Sequence, residues 1–148
     1  MNICNIEQLF KNKIAFMNER TANWLDEANW DLENAKILFK NDRFNTVVFH
    51  CQQAAVKAVK ALLYHNNLNG WGHSIYSLLE KYKEIKNENF DDIERTALSL
   101  DKHYITTRYP DALPNIAPHK AYNKQEAELA IIQASNIINF VKKEIRGK

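Results

Sequence analysis

An all-α fold, an up-and-down bundle of four main helices with one or two short ones, is what this sequence predicts, and three observations predict it. Glycine and proline are scarce, three of each in 148 residues, whereas a sheet protein of this length needs many tight turns. The breakers also cluster: Gly70 and Gly72 share one loop, residues 66–73, and Pro110, Pro114 and Pro118 share another, residues 108–122. Between these loops apolar residues recur at three- and four-residue steps, the period of one helix face.

The first strong helix is expected over residues 21–40, with Trp24, Ala28, Leu32, Ala35 and Phe39 on one face. Residues 1–20 form an N-terminal extension, expected to be helical. Its Ile6, Leu9, Phe10, Ile14 and Phe16 either prolong the first helix or make a separate one. The short connection Asn41-Asp42-Arg43 returns the chain as an antiparallel second helix, residues 44–65. Its apolar set, Phe44, Val47, Val48, Cys51, Ala55, Ala58, Val59 and Leu62, makes it the most buried-looking segment. A third helix begins near Ser74 with Ile75, Leu78, Leu79 and Tyr82. A fourth spans 90–107, and Pro110 disfavours helical geometry at Tyr109 and helps to end it. The last begins near Asn123, where Asn123 and Glu126 have capping-box spacing, and buries Ala127, Ala130, Ile131, Ala134, Ile137, Ile138 and Val141.

Composition excludes several classes. The length suits one domain with a real core. A formal charge of +2 is too small for nucleic-acid binding by bulk electrostatics, so any anion site must be local. Cys4 and Cys51 have no metal or redox spacing, and Cys51, in an apolar run, reads as a reduced core thiol. Glu7, Lys11 and Lys13 interrupt any signal-peptide core. No run of about 18 apolar residues exists to span a membrane. A cytoplasmic location is expected, with no membrane association.

Two constellations carry possible chemistry. On the second helix Thr46, His50, Gln53, Lys57, Lys60 and Tyr64 step by four and three, so they lie within about 40° of one line. Two lysines on such a stripe suit a phosphate; the same pattern is also the solvated edge of an amphipathic helix. The second is His103-Tyr104-Ile105-Thr106-Thr107-Arg108-Tyr109-Pro110-Asp111, where a helix runs into the proline-rich loop. Arg108 offers a planar fork to phosphate or carboxylate, and the tyrosines could stack on a base or order the loop. Equally, Arg108 could pair with Asp111 or cap helix carbonyls. His50, His65, His73, His103 and His119 show no metal-ligand spacing, and no metal or other cofactor is expected. No carboxylate pair stands out at an apolar position, and there is no phosphate-cradling glycine loop or nucleophile elbow.

The order of these motifs is specific. Trp24, Ala28 and Leu32 come first, then Phe49-His50-Cys51-Gln52-Gln53-Ala54-Ala55-Val56-Lys57-Ala58-Val59-Lys60-Ala61. His73 precedes a short helix with Leu78 and Leu79. Leu100-Asp101, the Tyr104-to-Asp111 segment and an alanine-rich helix ending Phe140-Val141 follow. This resembles the HEPN domain family over about residues 21–141, and the expected domain is a HEPN-like bundle over 21–146. The resemblance implies a homodimer. It also implies partnership with a minimal nucleotidyltransferase in a toxin–antitoxin-like system, and binding of a nucleotide or RNA phosphate in a groove. The residues placed in that groove are Gln53, Lys57, Lys60, His73, Tyr104, Arg108, Tyr109 and Asp111.

Some members of the family are metal-independent RNases, built on an arginine, four to six residues and then a histidine. From Arg108 that histidine would fall at 113–115, which here are Leu113, Pro114 and Asn115. Val56 stands where many relatives carry glutamate. RNA cleavage without a metal needs proton transfer as well as stabilisation of phosphorane charge. A divergent RNase would therefore use Arg108 with His119 or His103. A third reading is an assembly module with no ligand and no catalysis.

Overall fold

The computed structural model describes Asn5 and residues 17–147, so most of the expected N-terminal extension lies outside the described residues. Every regular element among the described residues is helical: α1 Glu19–Lys40, α2 Phe44–His65, α3 Ile75–Lys86, α4 Asp91–Asp101, the one-turn α5 His103–Thr106, a 3-10 turn Pro110–Ala112, the one-turn α6 Pro118–Ala121, and α7 Lys124–Arg146. The expected all-α bundle is what forms.

The helix starts follow from capping chemistry. Asn18 accepts a 2.7 Å hydrogen bond from Thr21 N, and Ser74 Oγ accepts from Ser77 N at 3.1 Å. Asn123 and Glu126 form the predicted capping box, each side chain accepting from the other's backbone N–H. Each cap satisfies donors that a helix cannot satisfy itself.

The centre of the molecule is α2, flanked by α1 on one side and α7 on the other, with α3 and α4 closing the remaining faces. Alanines set this intimacy: Ala54, Ala55, Ala58 and Ala61 of α2, Ala28 and Ala35 of α1, and Ala127 and Ala134 of α7 are all fully buried. Small side chains at the contacts let helix axes approach closely. Leu62, Leu63, Leu79, Leu100 and Ile137 fill the gaps with no exposed surface. Cys51 is a buried free thiol, and burial, with the nearby Asp31 charge, pushes its pKa up to about 12.

The expected fourth helix is interrupted at Lys102, and its last turn is α5. Three successive side chains explain how this frayed end is satisfied. Thr106 Oγ1 donates to Lys102 O (3.2 Å), Thr107 Oγ1 to His103 O (2.8 Å), and Arg108 to Tyr104 O (2.7 and 3.0 Å). Each reaches back four residues, a bond that bends helices and competes with their backbone ladder. The Arg108 N–H itself closes to Ile105 O, a tighter turn, and Pro110 has no N–H to continue with.

The end of α4 is also a junction. Asp101 Oδ1 accepts from Ile75 N (2.9 Å) and Gln52 Nε2 (3.2 Å), and Oδ2 accepts from Ser74 Oγ (2.9 Å) and Tyr76 N (3.0 Å). One carboxylate therefore caps α3, where the helix dipole favours a negative charge, and ties it to α2. Gln52 Nε2 also reaches His73 O at 3.0 Å. Replacing Asp101 by alanine strands these donors, and unsatisfied buried donors cost about 1–3 kcal/mol each. Asp101→Ala is expected to lower stability by about 3 kcal/mol in urea unfolding; a loss under about 1 kcal/mol would show that water replaces the carboxylate.

Candidate functional site

The polar stripe of α2 is half-buried along its whole length. On the α1 side it is committed to internal contacts. Asp31, 5% exposed, lies 3.0 Å from His50 Nδ1 and 2.6 Å from Lys57 Nζ. Burial works against its ionisation, but the hydrogen bonds from His50 and Lys57, and their charges, outweigh it and hold the carboxyl below its ordinary value. Lys57 also lies 3.9 Å from Glu27. Farther along, Lys60 sits over the Trp24 ring at 5.1 Å and Arg20 covers Tyr64 at 3.7 Å.

The opposite wall is aromatic. The Arg108 guanidinium lies 4.5 Å from the Phe49 ring centre, 4.6 Å from Tyr104 and 5.0 Å from Tyr109. His73 stacks on the far side of this group, its ring 5.4 Å from Tyr104 at 13°. Gln53 donates to Gln52 Oε1 at 2.8 Å and so joins the Asp101 network. Asp111 is exposed, and among the described residues Arg108 makes no ion pair with it. The carbonyl-capping alternative for Arg108 is met by Tyr104 O, with two of the five guanidinium N–H groups used.

Arg108 also lines a shallow pocket of about 270 Å³ with Asn45, Thr46, Phe49, Thr107, Pro118 and His119. Asn45 Nδ2 donates to Thr107 O at 3.1 Å and holds the start of α2 to this corner. His119, eleven residues after Arg108, thus returns to the same pocket because Pro118 starts α6 there. His103 does not line it. Its Nδ1 meets Tyr122 Oη at 2.8 Å, Tyr122 Oη meets Thr106 Oγ1 at 2.7 Å, and burial holds the ring's pKa below the ordinary histidine value. A larger hollow, about 750 Å³, lies at the Phe90–Phe140 end with carboxylates and bases mixed along it, and it contains none of the predicted residues. No group of three or more potential metal ligands is found among the described residues, and no described helix is long and apolar enough to cross a membrane.

The chain matches a family model, that of the HEPN domain, over residues 21–145. The chain belongs to the HEPN domain family. Its fold is similar to the crystal structure of TT1696 from Thermus thermophilus, with a TM-score of 0.82 and 35% identity over 86% of this chain and 99% of that one. It is similar to the HEPN domain protein tm0613 of Thermotoga maritima, with a TM-score of 0.65 and 33% identity over 81% and 94% of the two chains. In sequence it is 29% identical to "Putative toxin MJ1304" of Methanocaldococcus jannaschii, over 84% of this chain and 88% of that protein.

Within this HEPN fold the predicted residues fall into separate places. Phe49, beneath Arg108, is eight residues before Lys57 and eleven before Lys60, about 12 Å and 16 Å along a helix axis. No single phosphate reaches all three cations. Two residues to which sequence reasoning gave no role organise the site. Asp31 stands three residues after Ala28 and four before Ala35, inside the buried stripe of α1, and that spacing was a legible signal for a paired carboxylate. Asp101 carried no such signal, because its partners lie 25 to 49 residues away.

Asp31→Asn is expected to cost about 2 kcal/mol at neutral pH, since it leaves Lys57 beside a neutral group. The sign with pH follows from a carboxyl held below its ordinary 3.8: its contribution is full above that value and is lost as pH falls through the lower folded-state value. Melting curves of wild type and variant should therefore converge in acid. A gap that persists unchanged at about pH 2 would place the effect in packing instead.

Proposed function

We propose that this HEPN protein binds RNA, or a nucleotide, through a phosphate at Arg108. In this reading it acts as a homodimer in a toxin–antitoxin-like system with a minimal nucleotidyltransferase. One observation carries the reading. Arg108 is fixed by Tyr104 O and three rings, three of its five N–H groups lie outside those bonds, and it lines a pocket with Asn45, Thr46 and His119. A preset guanidinium loses little freedom on meeting a phosphate. At about 270 Å³ the pocket is below the usual size for enclosing a whole small molecule, which suits a phosphodiester whose base and sugar lie outside. The name of the Methanocaldococcus jannaschii relative supports the toxin side of the proposal. For the dimer, Leu98 and Ile105 on α4 and α5, and Leu129 and Ile132 on α7, are 45–56% exposed on neighbouring helices tied by Gln133 and Ser99.

The shared pocket also favours a second reading, RNA cleavage. Arg108 would stabilise the phosphorane charge while His119 transfers a proton.

Both are read with short end-labelled RNA in EDTA. Wild type should bind and gain thermal stability with RNA; Arg108→Ala should bind roughly ten- to a hundredfold more weakly, the worth of a charge-assisted hydrogen bond or two, while Asp111→Ala stays near wild type. Absence of binding to any RNA or nucleotide tested would overturn the proposal. Cleavage lost in both Arg108→Ala and His119→Ala would establish the second reading. In sedimentation, wild type should be a dimer and Ile132→Glu a monomer; a monomeric wild type removes the dimer.

A further inference from the structure

The loop between α2 and α3 presents an unusual side chain. Trp71 is 82% exposed, yet the backbone that carries it is pinned from several directions. Asn69 Oδ1 accepts from Trp71 N at 2.8 Å. Lys81 Nζ donates to Trp71 O at 3.2 Å and to Asn69 O at 3.4 Å. Gly70 is buried against Tyr64 so closely that a Cβ there would lie 2.8 Å from the ring. Gly72, with φ +122°, supplies a backbone turn that other residues resist. The indole is thus held out in water by a rigid loop.

Beside this loop are cations that lack acids. Lys60 has no carboxylate partner among the described residues, and its nearest charged company is Lys81 and Lys57; burial and these like charges lower its pKa. An unpaired, half-buried ammonium among other ammoniums is relieved by an anion. Arg108 stands at one end of this stretch, then Tyr104 and His73 in a stack, then Trp71 two residues before His73 in a loop whose Gly70 packs on Tyr64, with Lys60 one turn before Tyr64 and about 16 Å from the Phe49 level.

We propose that Trp71, Lys60 and Lys81 form a second subsite, at the far end of the α2 polar stripe from Arg108, which holds an unpaired base on the indole face and an adjoining phosphate on the lysines. Bases of any identity stack on an exposed aromatic ring, and a neighbouring cation follows the backbone. This rests on the RNA reading of the Arg108 pocket and extends it: the ligand is a single strand long enough to reach from one subsite to the other.

Fluorescence anisotropy with a labelled single-stranded 12-mer RNA in EDTA tests this, using wild type, Trp71→Ala, Lys60→Gln and Arg108→Ala, each checked for unchanged circular dichroism and melting. Trp71→Ala is expected to weaken 12-mer binding roughly five- to a hundredfold, the range for one stacked base, and Lys60→Gln to reduce the salt dependence. A dinucleotide, too short to span both subsites, should bind more weakly than the 12-mer. The same 12-mer annealed to its complement should bind less well, its bases being unavailable for stacking. If Arg108→Ala abolishes binding while Trp71→Ala and Lys60→Gln match wild type, the second subsite does not exist and the Arg108 reading stands. If wild type binds no RNA, both fall.

Discussion

The site depends on one carboxylate that never faces it. Asp101, at the last residue of α4, gathers the first backbone N–H groups of α3, the Ser74 hydroxyl and the Gln52 amide. Through Gln52 it also fixes the His73 carbonyl, and the His73 ring lies flat on Tyr104. Tyr104 supplies both the carbonyl and one of the rings that seat Arg108. The position of Arg108 is therefore transmitted through a chain of short contacts from a helix cap. Charge-assisted hydrogen bonds at a helix N-terminus are strong enough to hold such a chain.

The same logic explains why α2 sits at the centre. It is buried round most of its circumference, and it supplies polar partners to several neighbours: His50 and Lys57 to α1, Gln52 to the α3–α4 junction, Asn45 to the end of α5. A helix so engaged can tilt little. Its polar stripe is in part a set of fasteners, and in part, beyond Lys57, a stretch where Lys60 and Tyr64 have ring contacts but no carboxylate partner among the described residues.

The helices were legible in the sequence because apolar period, capping residues and breakers agree with one another. The bounds of α2 fall at Phe44 and His65, as its apolar run implies, and the capping box at Asn123 forms as spacing requires. The break at Lys102 was not legible. Nothing in a periodic pattern says that Thr106, Thr107 and Arg108 turn back to carbonyls instead of outward. The site was legible in residue type but not in grouping. Lys57, Lys60 and Arg108 share a charge and a helix bundle, yet helix rise spreads them apart. His119 reaches Arg108's pocket only because two proline-rich turns fold the loop back, which no spacing rule anticipates.

The partners of these cations also rank them as anion ligands. Drawing Lys57 toward a phosphate would leave Asp31 buried with only His50 beside it, and an under-compensated buried carboxylate costs several kcal/mol. Arg108 gives up nothing comparable, since its partner is a neutral carbonyl and three of its five N–H groups lie outside that contact. Lys60 has no acid to abandon and two like charges to escape. A polyanion laid along α2 therefore gains most at the two ends of the stripe and least in its middle. Lys57, the residue that a count of positive charge would place at the heart of the groove, serves chiefly to neutralise the protein's own buried carboxylate.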